Sequence, residues 1–250
     1  MTATFRYAIL VPARDEAEAL PRLFEALGRA AAPEGPEGLR ISRPAAIVVV
    51  DNGSTDGTAD VARAHGARVI DEPRAGYGRT CLAGIRALAD GDPPDALVFL
   101  DADDFLAPAQ LGRLLAPVAA DDADLVIGER ASAGDRGVRW HARLGNRLVL
   151  AAMRAAYGSR ARDMGPFRAI RWSTLEALGL DDETYGWYVQ MQVRALRGGY
   201  RVLGVPVSFE RRTVGRSKVS GDLAASLVAG AVMIATLAVE ILRPGRGRAR

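Results

Sequence analysis

Through the first half of the chain, short unbroken apolar runs alternate with stretches whose apolar residues recur every three to four positions. Residues 7–12 (Tyr-Ala-Ile-Leu-Val-Pro), 46–50, 67–70, 96–100 and 125–128 have the length and apolar character of strands buried on both faces. Between them, Leu20, Leu23, Phe24 and Leu27 mark one face of a helix over 16–31, and the spacing predicts further helices over 58–65, 79–89 and 108–119. The Pro- and Gly-rich stretch 32–44 reads as a loop. Strand–helix alternation of this kind builds βαβ units, so the chain is predicted to be an α/β protein with a mainly parallel sheet flanked by helices. Beyond residue 130 the rhythm changes to helix 139–157, strand 167–170, helices 173–178 and 187–197, and a β segment over 200–209. That second half is expected to complete a site on the first.

In open parallel sheets, ligands sit at the carboxyl ends of the strands. Asp15, Asp51, Asp71 and Asp101 each lie just past such an end. Asp101-Ala102-Asp103 puts two carboxylates directly after the fourth strand, a donor set suited to Mg²⁺ or Mn²⁺ bridging to a substrate diphosphate. The same carboxylates have an ordinary reading as helix caps, and Asp104 is the member best placed for it. After the second strand comes Asp51-Asn52-Gly53-Ser54-Thr55-Asp56-Gly57, where short polar side chains and two glycines let a ligand approach the backbone or simply make a tight turn.

Composition narrows the classes. Over 250 residues, 49% are apolar and 25% charged, enough for a real core. A net charge of +3 gives no general attraction to nucleic acid, and none is expected as a partner. The one cysteine, Cys81, excludes an internal disulfide and a cysteine-based zinc cluster. The first residues lack the layout of a secretory leader, so the chemistry is expected to be cytoplasmic. Val11–Glu16 contains neither a phosphate-binding glycine loop nor G-x-G-x-x-G, which disfavours a nucleotidyltransferase and a dehydrogenase.

Taken in order, five motifs resemble glycosyltransferase family 2, the inverting enzymes of the GT-A nucleotide-diphospho-sugar transferase fold. They are Val11-Pro12-Ala13-Arg14-Asp15-Glu16, the 50–57 loop, Leu100–Asp103, Asp163-Met164-Gly165-Pro166-Phe167-Arg168 and Val214-Gly215-Arg216-Ser217-Lys218-Val219-Ser220-Gly221. The last two are similar to the dolichyl- or polyprenyl-phosphate mannose and glucose synthases. The resemblance implies that Pro12, Asp15, Glu16, Asp51 and Ser54 line a nucleoside pocket, and that Asp101 and Asp103 hold the metal and diphosphate, with Asp103 catalytic. It makes Asp163 the candidate general base, and Arg168, Arg212, Arg216, Ser217 and Lys218 the contacts to phosphate groups. The expected reaction carries a hexose from UDP-glucose or GDP-mannose to a polyprenyl phosphate; a small hydroxyl acceptor and a silent nucleotide-sugar-binding module are the alternatives. Gln190 stands where related sequences often carry glutamate, and an amide cannot act as a base.

Residues 1–221 are assigned to this catalytic domain, and 222–250 to an apolar helix with a basic tail. Leu223–Leu242 has about the length that crosses a bilayer. Its alanine content and Glu240 favour a helix that associates with the cytoplasmic face of a membrane or forms a homodimer. A true span and a buried helix are the other readings.

Overall fold

Side chains of the strand Tyr7–Ala13 alternate between two apolar layers: Leu10 faces one, Ile9 and Val11 the other. This two-sided burial places the strand inside a sheet with helices above and below. The computed structural model describes residues 3–33, 35–36, 39–130, 140–209 and 223–243. Its elements are β1 (Ala3–Phe5), β2 (Tyr7–Ala13), α1 (Leu20–Arg29), β3 (Leu39–Ile41), β4 (Ala46–Asp51), α2 (Thr58–Ala64), β5 (Arg68–Asp71), α3 (Tyr77–Ala89) and β6 (Ala96–Phe99). A 3-10 turn (Ala107–Gln110) then leads into α4 (Leu111–Ala119), β7 (Leu125–Arg130), α5 (Trp140–Tyr157), β8 (Arg168–Arg171), α6 (Trp172–Leu178), α7 (Trp187–Arg197), β9 (Val202–Val207) and α8 (Leu223–Leu242).

The main sheet has the order β5-β4-β2-β6-β8-β7-β9. Its pairs are parallel except for β8, which runs antiparallel to both β6 and β7. The fold is therefore α/β with a mainly parallel, mixed sheet, as the strand pattern implies. One layer packs α3 and α7 on the sheet through Cys81, Leu88, Trp187 and Met191; the other packs α1 and α4 through Leu20, Leu23, Leu111 and Leu115. Two features differ from the sequence reading. Three-residue β1 and β3 pair in parallel as a separate small sheet, inside segments too short to show a period. The first helix starts at Leu20, not residue 16, because the N–H groups of Glu16 and Ala17 donate to Thr58 Oγ1 and Asp56 Oδ2.

Helix α8 packs on α5 and α7. Its Glu240, 1% exposed, accepts hydrogen bonds from Arg194, Arg197, Arg243 and Gln190. Such a carboxylate tolerates burial because guanidinium and amide donors meet both of its oxygens. Among the described residues no helix is long and apolar enough to cross a membrane.

Burial alone would raise the Glu240 carboxyl, yet Arg194, Gln190 and Arg243 hold it below its ordinary value near 4.5. With the folded value the lower one, this stabilisation is present above pH 4.5 and disappears as pH falls through the folded value. Glu240→Ala should therefore cost about 3 kcal/mol in urea unfolding at neutral pH, since it removes the shared partner of the part-buried Arg194 and Arg197. The gap from wild type should narrow below about pH 4; a gap independent of pH would contradict the charged latch.

Candidate active site

The carboxyl edge of the sheet is built by three loops. Behind β4, Asp51 pairs in register with Ala13 of β2 and Asp71 of β5. Its Oδ1 accepts from Ser54 N (3.2 Å) and from the Ser54 hydroxyl. Ser54 Oγ in turn accepts Asp15 N at 2.9 Å, and Asp15 Oδ1 accepts Thr55 N at 2.8 Å. These bonds lock the two loops together. They also fix Asp15 at φ 46°, a left-handed conformation that Asp and Asn tolerate better than other residues with side chains. Pro12, Asp15, Glu16, Asp51 and Ser54 are thus gathered at the ends of β2 and β4.

One strand over, Asp101 follows β6 and Asp103 lies two residues on. Asp104 is buried and accepts the N–H of Ala107 at 3.1 Å, so it caps the 3-10 turn. Burial, and then the charges of Asp103 and Asp104, push Asp101 up to about 7, with Glu16 adding to the crowding. Burial likewise lifts Asp104 to about 7, against the pull of the Ala107 and Leu106 N–H groups. Three carboxylates thus fall within four residues at this edge. Among the described residues no group of three or more His, Cys, Asp or Glu side chains could hold a metal by itself. Two carboxylates, with the remaining positions left to diphosphate and water, is the arrangement that suits Mg²⁺ or Mn²⁺, and Asp101 and Asp103 fit it.

Tyr77, absent from the sequence assignments, reaches this cluster. Its hydroxyl donates to Asp101 Oδ1 at 3.2 Å and lies 2.6 Å from the Tyr188 hydroxyl. It is aimed there by two glycines. A Cβ on Gly76 would stand 2.5 Å from Glu183 O, and one on Gly78 would stand 2.1 Å from Asp182 O. The 182–184 segment can therefore press onto the start of α3 and accept Gly78 N and Arg79 N through Thr184 O and Glu183 O, both at 3.1 Å. The G-x-G spacing at the head of a helix was the visible sign of this contact.

Gln190 anchors the same segment from behind. Its Oε1 accepts Asp181 N (2.8 Å) and Asp182 N (2.9 Å), while its Nε2 donates to Asp181 Oδ1 (2.8 Å) and Glu240 Oε1 (3.0 Å). Only an amide can make both pairs; a glutamate would face two carboxylates with no proton to give. Position 190 in this chain is thus a structural joint.

On the far side of the edge, Asp163 is clasped by Arg130 at the end of β7. Arg130 Nε and Nη2 donate at 2.6 and 2.7 Å, Arg130 N at 3.2 Å, and Asn146 Nδ2 at 3.1 Å. Burial would raise the Asp163 carboxyl, but the Arg130 fork holds it below the usual range. The candidate general base is therefore a carboxylate with both oxygens engaged and little affinity for a proton, better suited to orienting Arg130. Arg168, the expected phosphate contact, lies on the inner side of the site. It is wholly buried, donates to Gly165 O and Tyr188 O, and lies 4.4 Å from the Tyr188 ring centroid. Burial lowers it to about 10, and it props the site from beneath; it does not face a phosphate from solvent. Arg212, Arg216, Ser217 and Lys218 lie outside the described residues.

Comparison with known proteins places these features in context. Residues 8–179 match the model of glycosyl transferase family 2. The undecaprenyl-phosphate mannosyltransferase of Micrococcus luteus is 34% identical over 242 residues, 89% of this chain and 91% of that one. The polyprenol monophosphomannose synthase of Mycolicibacterium smegmatis is 34% identical over 240 residues, 88% of this chain and 83% of that one. The crystal structure of glucosyl-3-phosphoglycerate synthase from Mycobacterium tuberculosis with Mn²⁺, UDP and glucosyl-3-phosphoglycerate superposes with a TM-score of 0.73 at 22% identity, covering 97% of this chain and 82% of that one. At that identity the match identifies the fold, which is GT-A.

Gly78→Ala is the sharpest test of the edge geometry, because its methyl group would collide with backbone and not with a movable side chain. It should cut turnover by at least about tenfold, with thermal unfolding displaced by several degrees. Near-wild-type values would mean that the 182–184 segment does not set the position of Tyr77.

Proposed function

The chain belongs to glycosyl transferase family 2, and on that premise we propose that it transfers a hexose from UDP-glucose or GDP-mannose to a polyprenyl phosphate with inversion at the anomeric carbon. The observation that carries this reading is the bidentate Arg130–Asp163 pair. A hydroxyl acceptor needs a base to take its proton, and Asp163 is poorly fitted for that. A phosphate acceptor is already ionised and needs a fixed cation to aim it, which a guanidinium held by both forks supplies. The names of the Micrococcus and Mycolicibacterium relatives support the same acceptor class.

In this account Pro12, Asp15, Glu16, Asp51 and Ser54 hold the nucleoside, and Asp101 and Asp103 hold a Mg²⁺ or Mn²⁺ with the diphosphate. The ion would neutralise charge on the departing nucleoside diphosphate. Tyr77 keeps Asp101 turned toward the edge. Arg130, with Arg212, Arg216, Ser217 and Lys218 of the basic motif, draws in the acceptor phosphate. One of its oxygens bonds to the anomeric carbon as the bond from that carbon to the β-phosphate oxygen breaks, and the nucleoside diphosphate leaves with the electron pair. Such chemistry belongs at a membrane surface, where a polyprenyl acceptor resides.

A screen of UDP- and GDP-sugars with Mn²⁺, with and without a short polyprenyl phosphate, tests the reading. Release of nucleoside diphosphate should require the lipid and vanish in Asp103→Ala. Asp163→Asn and Arg130→Ala should each cost about 10²-fold in kcat, and the double variant little more, because the two act as one unit. Independent, multiplying losses, or release with small alcohols in place of the lipid, would restore Asp163 as a base and a hydroxyl acceptor.

A further inference from the structure

Two of the three polar side chains in the apolar run Leu223–Leu242 are Thr236 and Glu240. Four residues apart, they share one face of α8. Both reach the 181–184 segment. Glu240 does so through Gln190, whose Oε1 accepts Asp181 N and Asp182 N, and Thr236 does so directly. A hydroxyl carries one proton, and Thr236 gives it across the helix interface to Asp182 Oδ2 at 2.8 Å. Gly186 makes room for this contact, since a Cβ there would collide with both Thr236 Oγ1 and Asp182 Oδ2.

Asp182 passes this hold toward the active-site edge. Its other oxygen, Oδ1, accepts Thr184 N at 2.7 Å and Thr184 Oγ1 at 2.6 Å, a local turn that fixes the backbone between the two residues. With donors on both oxygens, the carboxylate has one orientation. The turn presents Glu183 O to Arg79 N and Thr184 O to Gly78 N, while the Arg79 guanidinium pairs with the Glu183 carboxylate. One residue before Gly78 stands Tyr77, whose hydroxyl donates to Asp101 Oδ1. A continuous line of contacts therefore runs from the C-terminal helix to the carboxylates after β6.

We infer that Thr236 is a positioning residue for glycosyl transfer: by holding Asp182 it sets the 182–184 turn against the start of α3, and with it the Tyr77 hydroxyl on Asp101. This rests on the transferase reading for its purpose. The two polar residues of α8 divide the work. Glu240, with Arg194, Arg197 and Arg243, fastens the helix to the fold. Thr236 leaves that cluster untouched and acts on one loop, so loss of its hydroxyl should loosen the loop while the helix stays docked.

The test compares the full chain with Thr236→Val, which keeps the branched shape and loses the hydroxyl, and with Thr236→Ser, which keeps the hydroxyl. Residue-resolved amide hydrogen exchange comes first. In Thr236→Val the Gly78 and Arg79 amides should exchange at least about tenfold faster, with the amides of β2 unchanged and the Ser variant like wild type. Turnover should fall at least about fivefold in Thr236→Val and recover in Thr236→Ser. In a Tyr77→Phe background the Val substitution should add less than about twofold, because both residues act along one line. Unchanged exchange at Gly78 and Arg79, a uniform acceleration that reaches β2, a loss that Ser does not rescue, or losses at Thr236 and Tyr77 that multiply would each overturn the inference. The exchange measurement needs neither donor nor acceptor, so its failure leaves the transferase reading to the donor and acceptor screen.

Discussion

Mutual repulsion of carboxylates at the end of a buried strand governs the site. Asp101, Asp103 and Asp104 fall within four residues, and the packing around β6 weakens the screening of Asp101 and Asp104. One of the three is relieved by capping a turn. The other two, Asp101 beside the Tyr77 hydroxyl and Asp103 two residues on, crowd each other's charge in a way that a cation relieves. A divalent ion carrying a diphosphate answers that need, and its oxygens complete a coordination sphere the protein only begins. The locked 15–16 and 51–58 loops and the α3 start are arranged around the same edge.

Legibility in the sequence followed the length scale of the interactions. Buried strands announced themselves as apolar runs, and the carboxylates after 96–100 were visible because a strand end fixes where the next residues go. The surroundings of Asp163 were not legible because its partner lies 33 residues away on β7, and sequence does not disclose a bidentate Arg130. The burial of Arg168 was hidden for a related reason: arginine is usually a surface residue, and only the tertiary fold stacks it on Tyr188. Tyr77 was overlooked although Gly76 and Gly78 flanked it, since the backbone that requires those glycines arrives from residues 182–184.

Two halves of the chain meet through largely buried side chains. Tyr77 from the first half and Tyr188 from the second share a hydrogen bond, Arg168 stacks on Tyr188, and Gln190 two residues on ties the 181–184 segment to Glu240. These contacts tie the two halves together beneath the site. The apolar C-terminal helix is thereby part of the scaffold that shapes the carboxyl edge.

Calorimetric titration of Mn²⁺ into the protein, with and without saturating UDP or GDP, measures the central claim most directly. If Asp101 and Asp103 supply only part of the coordination sphere and the diphosphate the rest, the nucleotide should tighten metal binding by at least about tenfold, and Asp103→Ala should abolish the gain. Equal Mn²⁺ affinity with and without nucleotide, or a gain that survives Asp103→Ala, would contradict the account.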